Sequence, residues 1–162
     1  MTDHTPNPQF MRLAIAEAEA SKRAGDYAIG AVVIQNGGIL ASSENRIKLE
    51  CDPTQHAEIA AIRLACRSLR NRHLEGAILY TTAEPCPMCA AAAIWARMSG
   101  IVAGSTIQDM ANFREKFGSP EWTWRTVDIA AKAVLDSGDP RLFLYEGFLR
   151  EECLRLFHDS FM

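Results

Sequence analysis

Four residues in two short stretches of the sequence have the types and the spacing of a metal-dependent hydrolytic centre. His56 and Glu58 lie two positions apart in DPTQHAEIAAIR, and Cys86 and Cys89 lie three positions apart in EPCPMC. Residues three apart at the start of a helix share one face, and the positive helix N-terminus favours the thiolate, the form of cysteine that binds metal. Two thiolates and one imidazole make three protein ligands, as in catalytic zinc sites, where water takes the fourth position. Glu58 is then free to move protons.

Two other chemistries fit the same pair of cysteines. A redox-active CxxC motif would use the thiols alone and would leave the His-Ala-Glu stretch without a role. A closed structural zinc site would need a fourth ligand, and His73 or Cys66 would have to supply it, although neither lies in a motif. The combination of His56 with the two cysteines therefore favours an open, catalytic metal site.

Hydrophobic periodicity predicts the helices and strands that must position these residues. An NGG turn between two β-rich runs indicates an antiparallel hairpin, and the strand–helix–strand order around the cysteine stretch implies a parallel pair. The segment 106–124 predicts a turn of helix followed by an ordered loop. The predicted helices cover residues 10–24, 54–70, the cysteine stretch to about Met98, 128–137 and 151–161, and the predicted strands cover 29–35, 39–43, 76–82, 100–105 and 141–147.

This order of elements predicts an α/β fold of three layers, α/β/α, in which a central mixed five-stranded sheet has helices on both faces. A chain of 162 residues suits a single domain, residues 1–162. The formal net charge of −3 gives no electrostatic footprint for non-specific nucleic-acid binding. We expect no membrane segment, no disulfide framework and a cytoplasmic location, because the longest apolar run is short, the five cysteines are sparse, and the N-terminus lacks a signal-peptide pattern.

The order H-x-E and then P-C-x-x-C resembles the cytidine deaminase-like zinc deaminase superfamily. DPTQHAEIAAIR and EPCPMCAAAAIWAR are most similar to the branch that contains guanine deaminases, tRNA adenosine deaminases and fungal-type cytosine deaminases, and IGAVV and ENR are similar too. The resemblance runs from Phe10 to about Ser105. It implies one Zn²⁺ per chain, held by His56, Cys86 and Cys89, with Glu58 as the catalytic residue that moves protons while water replaces an exocyclic amine and ammonia leaves.

The same resemblance implies substrate-binding roles for four further residues. Asn45 would hydrogen-bond the base, and Ala57 and Glu84 would contact the substrate through backbone groups. Trp95, six residues after Cys89, would line the base pocket. Three of them have a structural alternative, because the asparagine suits a turn, the glutamate suits a helix start, and the tryptophan suits a core.

Free guanine is the predicted substrate, because DPTQHAE, EPCPMC and AIWAR are most similar to guanine deaminases. The bacterial enzymes of that kind carry an aspartate beyond the fourth strand that recognises the purine; here Glu115 is no clear counterpart, and Asp109 lies nearer the strand. The alternative is a tRNA-specific adenosine deaminase, which the tail LREECLRLFHDSF resembles, although the glycine- and serine-containing loop of that group is absent. Cytosine or another nucleobase or nucleoside is a further alternative, and a non-catalytic zinc-binding partner subunit is the last.

The expected partners are therefore a small nucleobase or nucleoside, or tRNA in the alternative, and a second copy of this chain. The resemblance implies a homodimer, and exposed apolar helix faces would need cover. Whether the segment 106–162 completes the active site in its own chain or in its neighbour stays open. Phe113, Trp122 and Trp124 in that segment would either close over a planar base or pack a long loop.

Overall fold

The computed structural model describes residues 4–158 of the chain, without the side chain of His158. These residues form a five-stranded mixed sheet with the strand order β2-β1-β3-β4-β5. The elements are α1 (Pro8–Arg23), β1 (Gly30–Gln35), β2 (Gly38–Glu44), α2 (Ala57–Leu69), β3 (Ile78–Ala83), α3 (Pro87–Trp95), β4 (Gly100–Ser105), α4 (Ile107–Phe117), α5 (Ala131–Asp136), β5 (Phe143–Tyr145) and α6 (Arg150–His158).

The strand pairing confirms both sequence-based expectations about the sheet. β1 pairs with β2 and with β3 in antiparallel fashion, whereas β3 pairs with β4, and β4 with β5, in parallel. Asn36 and Gly37 form the hairpin turn with φ values of 52° and 77°, the left-handed conformation that favours these two residue types. Since β3 and β4 are parallel, their carboxyl ends lie at the same edge of the sheet, and the cysteine stretch begins there.

The alternation of side chains along the strands builds the predicted three layers. One face of the sheet packs against α2, α3 and α5, and the other packs against α1 and α6. α1 lies so close to β1 that a Cβ at Gly30 would come within 2.1 Å of the Ala14 carbonyl oxygen. The first face carries Ala31, Val33, Leu79 and Ile101, and the second carries Val32, Ile34, Tyr80 and Val102.

Two predicted elements differ from the observed ones for clear local reasons. α2 begins at Ala57 and not at residue 54, because the backbone and hydroxyl of Thr54 bind the Asp52 carboxylate in a turn that precedes the helix. The segment after β4 is a full helix, α4, where Thr106 and Asp109 form a capping box. The last helix was predicted to reach residue 161, which lies outside the described residues. No helix in the described part of the chain has the length and apolarity to cross a membrane.

Candidate active site

His56 and Glu58 lie at the start of α2, where the chain turns from an extended loop into the helix. His56 is the N-cap residue with extended backbone, and its carbonyl accepts the first helical hydrogen bond, from the Ala60 amide. Glu58 lies in the first turn and is 3% exposed. Its Oε2 atom is buried without a hydrogen-bond partner among the described residues. A buried carboxylate oxygen left without a donor is costly, so this atom is a candidate for contact with a substrate or water.

Cys86 and Cys89 lie at the start of α3, immediately after the carboxyl end of β3. Cys86 is the N-cap residue, Pro87 occupies the first helical position, and Cys89 lies in the first turn. Proline suits that position because its fixed φ matches the helix and its missing N–H would have no partner there. Cys89 is fully buried, whereas Cys86 is half-buried. The local sequence therefore directs both sulfurs to the same point in front of the helix.

The structure brings the three predicted metal ligands together. The Nδ1 atom of His56 lies 3.7 Å from the sulfur of Cys86 and 3.5 Å from that of Cys89, and the two sulfurs are 3.6 Å apart. Around one tetrahedral Zn²⁺, bond lengths of about 2.3 Å to sulfur and 2.0–2.1 Å to nitrogen separate two sulfurs by about 3.8 Å and a sulfur and a nitrogen by about 3.6 Å. The donor types and their spacing thus fit zinc, and among the described residues they form the one such cluster.

The electrostatics of the cluster favour a bound cation. The hydrogen bond with Cys89, supported by His56, lowers the pKa of Cys86 to about 4. The same contact and its burial raise the pKa of Cys89, because a second negative charge beside the first is unfavourable. A coordinated metal holds both sulfurs as thiolates. Burial raises the pKa of Glu58 above its ordinary value, which suits a carboxyl group that must both accept and return a proton.

A cavity of about 360 Å³ opens in front of this cluster, a size typical of small-molecule sites. His56, Glu58 and Cys86 line it from the motif region. The opposite wall comes from the later segment 123–127 of the same chain. The segment after β4 therefore lines the cavity of its own chain.

Two of the four predicted substrate-binding residues line the cavity and two do not. Asn45, which is 2% exposed, and Glu84 are among the lining residues. Ala57 is fully buried and is not among the lining residues. The structure does not bring Trp95 to the cavity, and its side chain is 82% exposed. Six residues correspond to a rotation of about 600°, so Trp95 lies about 120° around the helix from Cys89 and does not share its face.

Glu84 connects the motif region to the opposite wall. Its carboxylate accepts hydrogen bonds from the backbone amides of Ile107, at 2.6 Å, and Ala131, at 2.8 Å, so it binds the starts of α4 and α5. Its carbonyl oxygen accepts a hydrogen bond from Arg125. The buried guanidinium of Arg125 also donates to the carbonyls of Val127 and Ile129. Sequence reasoning missed Arg125, because its partners are backbone carbonyls that no local pattern identifies.

The aromatic residues of the later segment divide between the two predicted roles. Trp124 lines the cavity, whereas Phe113 and Trp122 pack against Trp124 and Tyr27. Trp124 adopts the left-handed region at φ 47° and its buried indole nitrogen has no partner among residues 4–158. The Tyr27 hydroxyl accepts a hydrogen bond from the Thr123 amide and holds this segment against the first half of the chain.

Three other residues that the sequence analysis considered do not belong to the site: Cys66, His73 and Asp109. Cys66 contacts the Arg72 carbonyl, and neither it nor His73 belongs to the metal cluster, so no fourth protein ligand closes the site within the described range. Asp109 does not reach the cavity. It caps α4 and pairs with Arg150, so its role is structural.

Comparison with known proteins assigns the motif region to a family. Residues 5–105 match the family model described as the cytidine and deoxycytidylate deaminase zinc-binding region. The chain is 46% identical to a tRNA-specific adenosine deaminase of Agrobacterium fabrum over 96 residues, which are 59% of this chain and 63% of that protein. It is 40% identical to the guanine deaminase of Bacillus subtilis over 103 residues, 63% of this chain and 66% of that protein. The matches thus span less than two thirds of either relative.

Solved structures extend the similarity beyond the motif region. A tRNA:A34 deaminase that performs A-to-I editing at the wobble position of transfer RNA superposes with a TM-score of 0.69 at 32% identity, covering 93% of this chain and 99% of that one. The structure of the Bacillus subtilis guanine deaminase gives a TM-score of 0.63 at 38% identity over 67% of this chain and 69% of that one. With the matched zinc-binding region and the three ligands in contact, the chain belongs to the cytidine and deoxycytidylate deaminase family.

Proposed function

We propose that this protein is a zinc-dependent hydrolase that removes the exocyclic amine of a purine, with adenosine in tRNA as the first candidate substrate. The observation that carries the proposal is the contact of His56, Cys86 and Cys89 beside a buried, unpaired oxygen of Glu58 at one cavity. The overall reaction balances as R–NH₂ plus water giving R=O, in its keto form, plus ammonia.

Each group has one task in this proposal. His56, Cys86 and Cys89 would hold Zn²⁺, which when bound lowers the pKa of a coordinated water to about 7. Glu58 takes one proton from the attacking water at Oε2 and gives it to the ring nitrogen. It then takes the second proton from the newly added hydroxyl group and gives it to the amine, which leaves as ammonia. Asn45, which lines the same cavity, binds the base. The wall formed by residues 123–127 limits access of bulk water, which strengthens the electrostatic interactions inside.

The comparisons favour adenosine in tRNA over the guanine predicted from sequence. Relatives named tRNA-specific adenosine deaminase in Agrobacterium fabrum, Aquifex aeolicus and Bacillus subtilis are 46%, 38% and 42% identical to this chain. The tRNA:A34 deaminase structure also matches nearly the whole described fold. Guanine stays the second candidate, because the Bacillus subtilis guanine deaminase is 40% identical over a comparable length.

A substrate panel tests the proposal. Zinc-loaded protein is incubated with an anticodon stem-loop that carries adenosine at the wobble position, and separately with guanine, adenine, adenosine, cytosine and cytidine. Ammonia release and mass spectrometry of the base report turnover. Inosine in the stem-loop supports the first candidate, and xanthine from guanine alone supports the second. No turnover of any substrate by zinc-loaded protein would overturn the enzymatic proposal and favour a non-catalytic partner subunit.

We also propose that the protein forms a homodimer in which Trp95 lies at the interface. The side chain of Trp95 on the alanine-rich helix α3 is 82% exposed, and tryptophan is enriched at protein–protein interfaces. Light scattering of the wild-type protein and of Trp95→Ser tests this proposal. A monomeric wild-type protein, or an unchanged dimer in the variant, would contradict it.

A further inference from the structure

A buried carboxylate next to the cavity is not used by the proposed chemistry. Asp26 lies in the turn between α1 and β1 and is 1% exposed. Its Oδ2 accepts hydrogen bonds from the backbone amides of Lys48, at 2.8 Å, and Leu49, at 3.0 Å. Its Oδ1 accepts one from the Tyr27 amide at 2.8 Å. These three backbone donors fix the plane of the carboxylate.

The fourth donor to Asp26 is the side-chain amide of Asn45. The Nδ2 atom of Asn45 lies 2.8 Å from Oδ1 of Asp26. The backbone of Asn45 is fixed as well, because its amide donates to the Ile29 carbonyl at 3.0 Å and its carbonyl accepts from the Ser21 hydroxyl at 2.7 Å. Neither the main chain nor the side chain of Asn45 is then free to adjust to a ligand.

The chemistry of Asp26 decides which end of the Asn45 amide enters the cavity. The oxygen and nitrogen of an asparagine amide have nearly the same shape, so its orientation follows from the partners and not from packing. An ionised carboxylate only accepts hydrogen bonds, so it takes the NH₂ end. The Oδ1 atom then receives no hydrogen bond from any described residue, and it belongs to a side chain that lines the cavity.

We infer that Asp26 is a positioning residue that sets the hydrogen-bond polarity of the base site by making Asn45 present its carbonyl oxygen to the substrate. The substrate group opposite Asn45 is therefore a donor, an N–H or an O–H, and not a ring nitrogen or a carbonyl. The ring N–H of free guanine and a ribose hydroxyl of a nucleoside in RNA both belong to this class. The inference rests on the proposed function only in that Asn45 contacts the substrate.

The first test observes the amide itself and needs no turnover. In ¹⁵N-labelled, zinc-loaded protein, the Asn45 NH₂ protons are expected to show nuclear Overhauser contacts to the Tyr27 amide proton and to exchange slowly with solvent. Absence of both signals in folded protein would overturn the inference. Because this measurement is made without substrate, it stays decisive even when the substrate panel overturns the proposed function.

The second test exchanges the two side chains. In Asp26→Asn the new amide can donate, so the Asn45 amide is free to turn its nitrogen into the cavity. We expect kcat/KM to fall about 10–100-fold, mainly through KM, since a donor of Asn45 would then face a donor of the substrate and leave both without an acceptor. Asp26→Asn with Asn45→Asp restores an acceptor in the cavity and a donor behind it. This double variant is expected to recover at least about a third of the binding that the single variant loses, measured through KM, because the two side chains are energetically coupled.

The control makes the same exchange of a carboxylate for an amide at an exposed position outside the cavity. Asp136→Asn alters a surface ion pair with Lys132. It is expected to leave KM within about 3-fold of the wild-type value. Should Asp26→Asn not fold, Asp26→Ser takes its place in the comparison. An unchanged KM in the folded Asp26 variant, or a double variant no better than the single one, would refute the inference.

Discussion

The two halves of the described chain build one cavity in different ways. Residues 4–105 supply the groups that could do chemistry, and each is placed by an adjacent helix start or strand end. Residues 106–158 supply the opposite wall, which is held by distant contacts such as Arg125 to Glu84 and Tyr27 to Thr123. The difference indicates that the reactive centre and the substrate pocket can be altered separately, and the following experiments test that separation.

Removal of a metal ligand should have the largest effect. Cys89→Ser replaces a fully buried sulfur by a hydroxyl that is a poor zinc ligand. We expect loss of bound zinc and a fall in turnover to below about 0.1% of the wild-type rate. Metal analysis by mass spectrometry beside an ammonia assay measures both. Cys51→Ser, at an exposed cysteine that is not part of the cluster, is the control and should retain both zinc and activity.

Replacement of Glu58 should separate metal binding from proton transfer within the first half. Glu58→Gln keeps the shape of the side chain but removes the proton acceptor, so zinc content should stay at the wild-type level while kcat falls about 10³-fold or more. Glu151→Gln, at an exposed position on α6, is the matched control. A variant that binds zinc and still turns over at more than about a tenth of the wild-type rate would refute the role given to Glu58.

The structure of residues 4–105 could be predicted because each pattern that indicates it spans only a few neighbouring residues. The NGG turn determines the β1–β2 hairpin, and each metal ligand lies in its motif at the start of a helix. The contact between His56 and the cysteines, some thirty positions apart, followed from the chemistry of zinc and from the family resemblance. Trp95, which the resemblance placed in the base pocket, lies outside it, because six residues after Cys89 the helix presents a different face.

The second half was predicted less well because long-range contacts determine it. The Arg125 guanidinium bonds to three backbone carbonyls, and nothing in the neighbouring sequence indicates them. The left-handed backbone of Trp124 is likewise held by its surroundings and not by residue type. The full length of α4 could have been found, since Thr106 and Asp109 have the spacing of a capping box.

Arg125→Lys should alter the pocket while leaving the reactive centre intact. Lysine keeps the charge but lacks the planar guanidinium group that donates to three carbonyls. Each hydrogen bond to a charged group contributes about 1.5–3 kcal/mol. We expect a lower thermal midpoint and a KM about 10-fold higher, with unchanged zinc content and a smaller change in kcat. Arg141→Lys, at an exposed arginine, is the control. A loss of zinc in Arg125→Lys would show that the two halves are not separable.

The smallest effect is expected at Asp109, where the structure gives a cap in place of a base-recognising residue. Asp109→Ala removes the capping box and the pair with Arg150, so it should cost about 1 kcal/mol and lower the thermal midpoint by roughly 2–4 °C while kcat/KM is unchanged. Asp128→Ala, at an exposed ion pair with Arg114, should change the midpoint less. A large fall in kcat/KM in folded Asp109→Ala would return this residue to the substrate site.

The pH dependence gives a sharper test of the same cap. Burial raises the pKa of Asp109, but hydrogen bonds from Arg150 and Thr106 outweigh it, so the pKa in the folded protein lies below its ordinary value. A carboxyl group with a lowered folded-state pKa stabilises the protein above its unfolded pKa of about 3.9, and this contribution is lost as the pH falls further. The difference in thermal midpoint between wild type and Asp109→Ala should therefore be constant from pH 7 to about pH 5 and shrink below about pH 4. A difference that grows on acidification would mean that the carboxyl group is not stabilised in its charged form. Asp109 would then not be the residue that stabilises the start of α4 in the second half.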